Sequence, residues 1–408
     1  MKRNEEHIKI CFLADKHHLY DDRIYWKMAA PLVKKGYRVH YLLIGDHQEK
    51  GITPEGVHYE ILKVKTFSKN RYLNFVLKNL DPDSNYKKLF KKASTLEADI
   101  YHFHDLWINK IGAKLKKLKT NPVVFYDARE PYAEDYISYS NAKGIFKIII
   151  HLFAWWVNTW EKKCAAKYDL VLSNEPTVRD KFRKSLGNEK AEVLYNFTDI
   201  YRDFDNTPPE QKQYDFIYCG AITRLRGAFM ILEATRLAKY KIPDIKVVMV
   251  GAYSPPELKA EMELFLGEHK LENNVFLFPR VDYRKVSEFY NNSKAGLVTL
   301  LPVLTYQISM PIKVFEYMAF GLPIVGSNFG KIKEYVEKND CGILVDPEDA
   351  SQIAEAMITI LTDRTRYERY SENGRNVTLE KYRWDLEFER LLAYYTKFLN
   401  ERDNRKRA

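Results

Sequence analysis

The stretch Pro311-Ile-Lys-Val-Phe-Glu-Tyr-Met-Ala-Phe-Gly321-Leu-Pro-Ile-Val-Gly-Ser327 is the most informative part of this chain for its fold class. Its pattern predicts a helix in which Pro311 lies in the first turn and Ser309, just before it, is the N-cap. Gly321 suits the position just past the end of that helix, and the apolar residues that follow it predict a short strand. A helix followed at once by an apolar strand is typical of a parallel α/β sheet.

Two charged side chains share one face of this predicted helix. Lys313 and Glu316 are three residues apart and lie near the helix N-terminus, where backbone N–H groups point outward and favour an anion. A cation for phosphate and a carboxylate for sugar hydroxyls are what the binding of a nucleotide-sugar requires. An amphipathic core helix with a solvated Lys–Glu pair is the alternative interpretation.

Short apolar segments alternate with helical patterns in both halves of the chain, and this alternation predicts βαβ units and parallel sheets. The strand candidates are residues 7–14, 38–44, 100–104, 123–126 and 170–173 in the first half, and 215–220, 245–250, 275–278, 296–301, 322–325 and 342–345 in the second. Helical patterns include residues 23–35, 227–240 and 255–267.

The polar segment 205–213, which contains two prolines, interrupts this alternation as a linker does. We therefore predict two Rossmann-like, doubly wound parallel-sheet domains, residues 1–205 and 206–380, that face each other across a cleft. A C-terminal helix within residues 381–408 is expected to cross back to the first domain. Ligand sites are expected at the carboxyl ends of the parallel strands.

Composition and charge narrow the function classes. The 408 residues are 46% hydrophobic and 29% charged, which excludes a disordered protein. The net charge is +9 for residues 1–205 and +1 for the remainder. The basic first half indicates either a solvated, lysine-rich surface or contact with an anionic membrane or a phosphorylated substrate. No nucleic acid is expected as a partner, because no zinc or RNA-recognition pattern accompanies the lysine runs.

The cysteines and the apolar segments indicate a cytoplasmic protein. The four cysteines are far apart in the sequence, so no close pair suggests zinc, and a reducing compartment is the natural inference. The N-terminus lacks an apolar signal core, and no run of about 20 apolar residues is long enough to span a bilayer.

Residues 145–157 come nearest to a membrane-associated segment. They are dense in Ile, Phe and Trp, but Lys147 and His151 interrupt them. This composition fits either a helix that lies in a membrane interface or a well-buried helix of a large α/β domain.

A glycine- and arginine-containing loop follows the first strand of the second half. It reads Tyr218-Cys-Gly-Ala-Ile-Thr-Arg-Leu-Arg-Gly227. A glycine turn lets backbone amides approach a diphosphate, and Arg226, just before the next helix, can supply two parallel N–H donors. A pair of surface arginines at a helix start is the alternative.

Two motifs of the first half carry polar residues at strand ends. In Ala98-Asp-Ile-Tyr-His-Phe-His-Asp105, alternation places His102 and His104 on the same face of a strand, with Asp105 at its carboxyl end. A hydrogen-bonded structural role is the alternative for either histidine, and we find no metal-ligand set near them in the sequence. In Tyr126-Asp-Ala-Arg-Glu130, Arg129 cannot act as a base because it stays protonated.

These motifs and the domain layout resemble the family-4 retaining glycosyltransferases (glycosyl transferases group 1), which have the GT-B fold. The resemblance implies that the second domain binds a nucleotide-sugar, with Glu316 at the ribose, and that the first domain presents the acceptor. It also implies activity without a bound metal or other cofactor. The donor-binding residues implied are Gly220, Arg224, Arg226, Gly227, Lys313 and Glu316. The catalytic residues implied are His104, Asp105, Arg129 and Glu130.

Three positions depart from the family pattern. Ala221 stands where the family has an arginine, and Arg224 is the candidate to supply that charge. Ile308 stands where many members have a first glutamate, which is separated from the second by seven residues. Arg129 stands where many members have a histidine, and it could steady an anionic acceptor or a developing charge.

The function expected from the sequence is transfer of a hexosyl unit, with retention, from a nucleoside diphosphate sugar to an acceptor hydroxyl. The acceptor expected is a growing cell-envelope or capsular glycan or a lipid-linked carrier, with peripheral contact at the inner face of an anionic membrane. The alternatives are an inverting glycosyltransferase, a GT-B nucleotide-sugar epimerase, and a membrane-associated scaffold whose catalytic site has decayed.

Overall fold

Residues 8–15, 17–64, 83–140, 143–199, 211–281 and 285–407 are described by a computed structural model of the chain. The chain divides into two units, of which the first comprises residues 1–195 and 387–408 and the second residues 196–386. The sequence placed these divisions at 205/206 and 380/381. Of the predicted linker, residues 205–210 lie outside the described residues.

The first unit is built on an eight-stranded sheet in the order β3-β4-β2-β1-β5-β6-β7-β8. Neighbouring strands are parallel except for the antiparallel pair β3 and β4. The strands are β1 (Lys9–Asp15), β2 (Arg38–Gly45), β3 (Glu49–Ile52), β4 (His58–Lys63), β5 (Ile100–His104), β6 (Val123–Ala128), β7 (Leu170–Ser173) and β8 (Ala191–Val193).

Helices connect these strands. They are a π-helix (Asp22–Ala29) that continues into α1 (Ala30–Lys34), then α2 (Ser84–Thr95), a 3₁₀ turn (Leu106–Ile108), α3 (Asn109–Lys116), α4 (Tyr132–Ser138), α5 (Ile145–Ala165), α6 (Pro176–Leu186) and a 3₁₀ turn (Asn188–Lys190). Residues 387–408, from the last helix, also belong to this unit. Within it, Tyr395 packs on Phe125 of β6, with ring centres 5.3 Å apart.

The second unit is built on a six-stranded, all-parallel sheet in the order β11-β10-β9-β12-β13-β14. The strands are β9 (Tyr214–Cys219), β10 (Val247–Val250), β11 (Val275–Phe278), β12 (Ser293–Val298), β13 (Ile324–Ser327) and β14 (Gly342–Val345). The helical segments are a 3₁₀ turn (Arg224–Arg226), α7 (Ala228–Lys239), α8 (Leu258–Glu268), α9 (Val286–Asn291), α10 (Leu304–Ile308), α11 (Ile312–Ala319), α12 (Gly330–Lys338), α13 (Ala350–Thr362), α14 (Arg364–Glu380) and the start of α15 (Trp384–Arg407), which belongs to the first unit from residue 387 onward.

Every strand that the sequence predicted is present, with ends that shift by up to three residues. These strands are apolar because helices cover both faces of a parallel sheet, as the wholly buried β5 and β6 illustrate. The strands that were not predicted are β3, β4 and β8. All four residues of β3 are exposed, so β3 carries no apolar pattern that could have revealed it.

The helix that opened the sequence argument runs from Ile312 to Ala319. The prediction that Ser309 is its N-cap is wrong: Pro311 occupies the cap position, and Ser309 ends α10. The Ser309 hydroxyl is buried and makes no hydrogen bond to the described residues. Gly321 lies just past the helix end with φ +63°, as predicted.

Helix α5 presents a large apolar surface to solvent. Seven of its Ile, Phe, Leu and Trp side chains between Ile145 and Trp156 are 45–69% exposed. The interpretation of this segment as a well-buried helix is therefore wrong. In the part of the chain described here, no helix has the length and apolar character needed to cross a bilayer.

Candidate functional site

The loop after β9 begins the candidate nucleotide-sugar site of the second unit. It leads into the short 3₁₀ turn Arg224–Arg226, and the Thr223 hydroxyl accepts a hydrogen bond from the Arg226 backbone N–H at 3.1 Å. Gly227 follows with φ +79°, and a Cβ at this position would lie only 2.1 Å from the Thr299 carbonyl oxygen. Only glycine fits there, so the loop enters α7 abruptly and the position of Arg226 is fixed.

Arg226 and Lys313 converge on Gly220. A Cβ added at Gly220 would lie 3.7 Å from Arg226 Nη1 and 3.7 Å from Lys313 Cε. Burial acts to lower the pKa of Arg226, but the hydroxyls of Tyr218 and Tyr306, which bond to its guanidinium, raise it. Because Gly220 has no side chain, its backbone stays accessible beside the two cations, Arg226 and Lys313. Two cations next to accessible backbone form an environment that suits a phosphate.

Glu316 is held by two hydrogen bonds on one carboxylate oxygen. Its Oε2 accepts from Lys313 Nζ and from the Tyr290 hydroxyl, and that hydroxyl lies 3.2 Å from Lys313 Nζ. Glu316 is 4% exposed, so the interpretation of Lys313 and Glu316 as a solvated pair is wrong. Burial acts to lower the pKa of Lys313, but Cys219 and Glu316 raise it, so its ammonium stays charged.

Arg224 is not part of this cluster. Its guanidinium pairs with Glu261 of α8 at the exposed surface, and its Cζ lies 4.4 Å from the centre of the Phe229 ring. Of the donor-binding residues that the resemblance implied, the structure therefore brings together Gly220, Arg226, Lys313 and Glu316, with Gly227 at the adjoining turn.

A cavity of about 240 Å³ adjoins the Gly220 loop. It lies at the carboxyl ends of β9 and β10, where doubly wound sheets bind ligands. Its lining is mostly apolar, and Arg280 is the one cationic residue among those lining residues that the structure describes. Arg280 and Tyr290 were missed by the sequence argument, because neither belongs to a motif and only the fold brings them to this edge.

In the first unit, His104 belongs to a buried cluster of charged and polar groups. Arg23 holds both oxygens of the Asp127 carboxylate, at 2.9 and 3.2 Å, and His104 Nδ1 lies 3.3 Å from Asp127 Oδ2. These three side chains are at most 1% exposed. Burial lowers the pKa of His104 and would raise that of Asp127, but Arg23 and His104 hold the pKa of Asp127 well below its usual range.

His102 has the structural role that the sequence left open. Its Nδ1 lies 2.7 Å from the Tyr395 hydroxyl. Its ring is fully buried and 4.8 Å from that of His104, which confirms that the two side chains share one face of β5.

Asp127 completes a potential metal-ligand set with the two histidines, since their ligand atoms lie within 4.8 Å of one another. The sequence argument missed this set, although the register pairs His104 with Asp127 on neighbouring strands. The set fits a metal ion poorly. The two imidazole rings are only 18° from parallel, so their nitrogen lone pairs do not converge on one point, and Arg23 already occupies both Asp127 oxygens.

Asp105 follows β5 in a left-handed conformation, with φ +75°. Its Oδ2 accepts from the Asp15 backbone N–H at 2.8 Å, and its Oδ1 lies 2.9 Å from His17 Nε2. Arg129 Nη1 is 3.7 Å from Asp21 Oδ1, within an ion-pair distance. Arg129 also interacts electrostatically with Asp105 and with Asp127. Asp105 and Arg129 therefore belong to the same cluster as His104, at the end of the sheet.

Glu130 differs from the other implied catalytic residues because its side chain is exposed. The sequence argument also missed His17 and Asp21, which lie in the segment between β1 and the π-helix. Asp21 caps that helix through the Ile24 N–H at 2.9 Å. These polar residues before a helix could have been identified as candidates from the N-cap pattern.

Two family models match the chain. Residues 199–377 match "Glycosyl transferases group 1" and residues 23–202 match "Glycosyltransferase Family 4". Among curated proteins, the N-acetyl-alpha-D-glucosaminyl L-malate synthase of Bacillus anthracis is 24% identical over 204 residues, which are 48% of this chain and 51% of that protein. The capsular polysaccharide biosynthesis glycosyltransferase CapM of Staphylococcus aureus is 23% identical over 49% of this chain and 52% of its own length. The matched region thus spans about half the length of these relatives.

A solved structure extends the likeness to nearly the whole chain. The Anabaena protein Alr3699/HepE, in complex with UDP and glucose, superimposes with a TM-score of 0.71 over 96% of this chain and 100% of its own, at 17% identity. At that identity the likeness establishes the fold, which is GT-B. The two family models overlap at residues 199–202 and together span residues 23–377, so the chain belongs to the family-4, group 1 glycosyltransferases.

Proposed function

We propose that this protein transfers a hexosyl unit from a nucleoside diphosphate sugar to an acceptor hydroxyl, with retention at the anomeric carbon. The observation that carries the proposal is the convergence of Arg226 and Lys313 on Gly220, next to the buried carboxylate of Glu316. Two permanent cations at one backbone turn are suited to a diphosphate, and a fixed carboxylate nearby is suited to the hydroxyls of the attached ribose. The cavity beside Gly220 is the proposed place of the base.

The proposed chemistry breaks the bond between the anomeric carbon and the diphosphate and forms one to the acceptor oxygen. Negative charge grows on the β-phosphate as it leaves, and Arg226 and Lys313 stabilise it. The acceptor attacks from the face that the diphosphate leaves, and its hydroxyl proton passes to the departing phosphate oxygen. This route needs no metal ion, because the two side chains supply the positive charge. The roles of His104, Asp105, Arg129 and Glu130 beside the reacting sugar remain predictions.

A donor screen is the direct test. UDP, GDP and ADP sugars, each at about 100 times its dissociation constant, should be compared by thermal shift. The correct donor is expected to stabilise the protein by about 2.7 kcal/mol. UDP-glucose is the first choice, because the HepE protein was solved with UDP and glucose. If no nucleotide-sugar or free diphosphate nucleotide shifts the melting temperature or binds in calorimetry, the protein is the decayed scaffold and not an enzyme.

Donor turnover separates the remaining alternatives. A glycosyltransferase consumes its donor in proportion to acceptor, whereas an epimerase accumulates an isomerised nucleotide-sugar without one. The anomeric configuration of the product, measured by NMR, distinguishes retention from inversion.

We further propose that the acceptor is reached at an anionic membrane surface, through the exposed face of α5. Ile145, Phe146, Ile148, Ile149, Leu152, Trp155 and Trp156 form this apolar face. Lys143 and Lys147, at the start of the helix, are exposed. Apolar side chains beside lysines are what an interfacial helix presents to anionic lipids. A phosphorylated lipid carrier or a growing envelope glycan fits this location, and CapM, which acts in capsular polysaccharide biosynthesis, supports it.

Replacing Trp155 by serine is expected to lower the partition constant onto phosphatidylglycerol vesicles by about tenfold to a hundredfold, because burial of a large apolar side chain contributes about 1.5–3 kcal/mol and each 1.4 kcal/mol is a factor of about ten. Flotation at low salt measures the bound fraction. Leu264→Ser is the matched control, because Leu264 is equally exposed (68%, against 66% for Trp155) but lies on α8 of the second unit. Equal retention of both variants would contradict the membrane proposal.

A further inference from the structure

Tyr290 belongs to none of the sequence motifs of the donor site, yet its hydroxyl lies between the two charged groups of that site. It comes from α9 and is fully buried. Its hydroxyl donates to Glu316 Oε2 and accepts from Lys313 Nζ, which lies 3.2 Å away. Lys313 Nζ also donates to the same oxygen of Glu316. The three side chains thus form a closed triangle of hydrogen bonds.

The ring of Tyr290 is held in place by the end of α11. It meets the Tyr317 ring edge to face, with the ring centres 5.5 Å apart, and its centre lies 5.0 Å from that of Phe320. Tyr317 is itself fixed, because its hydroxyl accepts from the Cys219 backbone N–H at 3.1 Å and donates to a backbone carbonyl of β9 at 3.2 Å. The Tyr290 hydroxyl is therefore placed before any ligand binds.

Protonation states fix the direction of each hydrogen bond in the triangle. Burial is the main reason that the pKa of Tyr290 lies well above its ordinary value, so its hydroxyl keeps its proton and can donate it. Burial acts to lower the pKa of Lys313, but Cys219 and Glu316 raise it, so Nζ keeps its full set of protons. Glu316 is then the acceptor for both partners.

The donors and acceptors that remain after these bonds are the ones available to a ligand. An ammonium has three N–H groups, and Lys313 uses one for Glu316 and one for the Tyr290 oxygen. The third lies on a side chain whose Cε is 3.7 Å from the place of a Cβ added at Gly220. Glu316 Oε2 accepts two hydrogen bonds, whereas Oε1 accepts none from the described residues. The triangle therefore leaves one N–H for a phosphate and one carboxylate oxygen for a sugar hydroxyl.

We propose that Tyr290 is a positioning residue for the ribose of the donor: it occupies Oε2 of Glu316 and so presents Oε1 to the ribose hydroxyls, while Lys313 serves the diphosphate. The inference rests on the proposed glycosyl transfer and deepens it, because it makes the site select against nucleotides that lack a ribose hydroxyl. Tyr290 acts through Glu316 and touches neither ribose nor diphosphate. Without its hydroxyl, the ammonium is free to bridge both carboxylate oxygens, and Oε1 is lost to the ribose.

Calorimetry on the full-length protein tests this role with UDP, 2′-deoxy-UDP, 3′-deoxy-UDP and pyrophosphate, and with the corresponding GDP and ADP series. Wild type is expected to bind its best ribonucleotide about tenfold more tightly than at least one deoxy form, because a hydrogen bond to a charged group is lost. Tyr290→Phe keeps the ring and should reduce this ratio to about threefold or less, with the affinity for pyrophosphate changed by no more than about twofold.

Tyr367→Phe is the matched control. The Tyr367 hydroxyl also bonds within the second unit, but it donates to the Lys294 backbone carbonyl at 3.1 Å, near the amino end of β12. The donor site lies at the carboxyl ends of the strands. Tyr367→Phe should therefore discriminate between the nucleotides as wild type does.

Two further measurements separate a positioning role from a merely structural one. Tyr290→Phe added to Glu316→Gln should cause no further loss of discrimination, because Tyr290 acts through that carboxylate. In steady-state kinetics, Tyr290→Phe should raise the KM of the donor about tenfold and change kcat by no more than about threefold, since the ribose contact is made equally in the ground and transition states.

The outcomes that contradict this inference differ from those that contradict glycosyl transfer. Wild type that binds a ribonucleotide no better than both deoxy forms, or Tyr290→Phe that keeps full discrimination, would overturn the role of Tyr290 and leave glycosyl transfer standing. Equal losses for ribonucleotide, deoxynucleotides and pyrophosphate in Tyr290→Phe would show that the residue only supports the fold. Failure of every ribonucleotide to bind wild type would refute the donor site and, with it, both proposals.

Discussion

Arg226→Ala is expected to lower kcat/KM for sugar transfer by about 10² to 10³, a loss of about 2.7–4 kcal/mol of transition-state stabilisation. The reason is that Arg226 converges with Lys313 on Gly220, where the diphosphate is proposed to leave. The Thr223 cap fixes the Arg226 backbone, and the hydroxyls of Tyr218 and Tyr306 bond to the guanidinium, so its charge needs no rearrangement when the bond breaks. Steady-state kinetics with the donor from the thermal-shift screen measures the effect.

Two nearby arginines make this test specific. Arg236→Ala is the control, because Arg236 pairs with Glu233 on the surface of α7 and should leave transfer within twofold. Arg224→Ala tests the donor role that the family resemblance implied for this residue, because the structure pairs Arg224 with Glu261 instead. We expect a much smaller loss for Arg224→Ala than for Arg226→Ala. Comparable activity of all three variants would refute the assignment of the diphosphate site.

Arg23→Leu is expected to destabilise the first unit by about 3–5 kcal/mol, because it leaves the Asp127 carboxylate buried without its cation. Protonation of Asp127 costs more in the folded state while Arg23 is present, so the variant should lose less stability at acidic pH than the wild type does. The sign follows from linkage: a carboxyl whose folded pKa is depressed stabilises the fold above its unfolded pKa, and that contribution is lost as the pH falls. Urea unfolding followed by tryptophan fluorescence suits this unit, which contains five of the six tryptophans.

A double substitution tests whether the loss of stability comes from leaving the Asp127 carboxylate buried without a cation. Arg23→Leu combined with Asp127→Leu should recover part of the lost stability, because no unpaired charge then stays buried. Arg179→Ala is the control: Arg179 pairs with Asp180, both side chains are partly exposed, and the change should alter the free energy of unfolding by no more than about 1 kcal/mol. A single Arg23→Leu variant as stable as Arg179→Ala would show that the buried pair does not hold this edge of the sheet together.

The strands and the helix of the donor site show how much of the fold can be predicted from local sequence patterns. Strands such as β5, β7, β11 and β14 begin and end where their apolar runs do, because both faces of a parallel sheet are buried. The helix with Lys313 and Glu316 could also be predicted, because the proline at its start, the glycine at its end and its charged residues lie within a few residues of one another in the sequence. Ser309 was wrongly predicted to be the N-cap of α11, because the short helix α10, which no local sequence pattern indicated, ends at that residue.

Only the tertiary structure decided which side chains are buried and which residues they contact. The sequence could not tell whether Glu316 is solvated, because its partner Tyr290 comes from another helix. It could not tell that α5 is exposed, because an interfacial helix and a core helix have the same composition. Nor could it find the Arg23–Asp127 pair, whose members are 104 residues apart.

The sequence by itself therefore determined the two parallel sheets and the motifs at their strand ends, since apolar periodicity and turn residues act through neighbours along the chain. The tertiary structure alone decided which charges meet, which are buried and which apolar face stays in solvent. The physical reason is that electrostatic and packing energies depend on distances between segments that are remote in sequence.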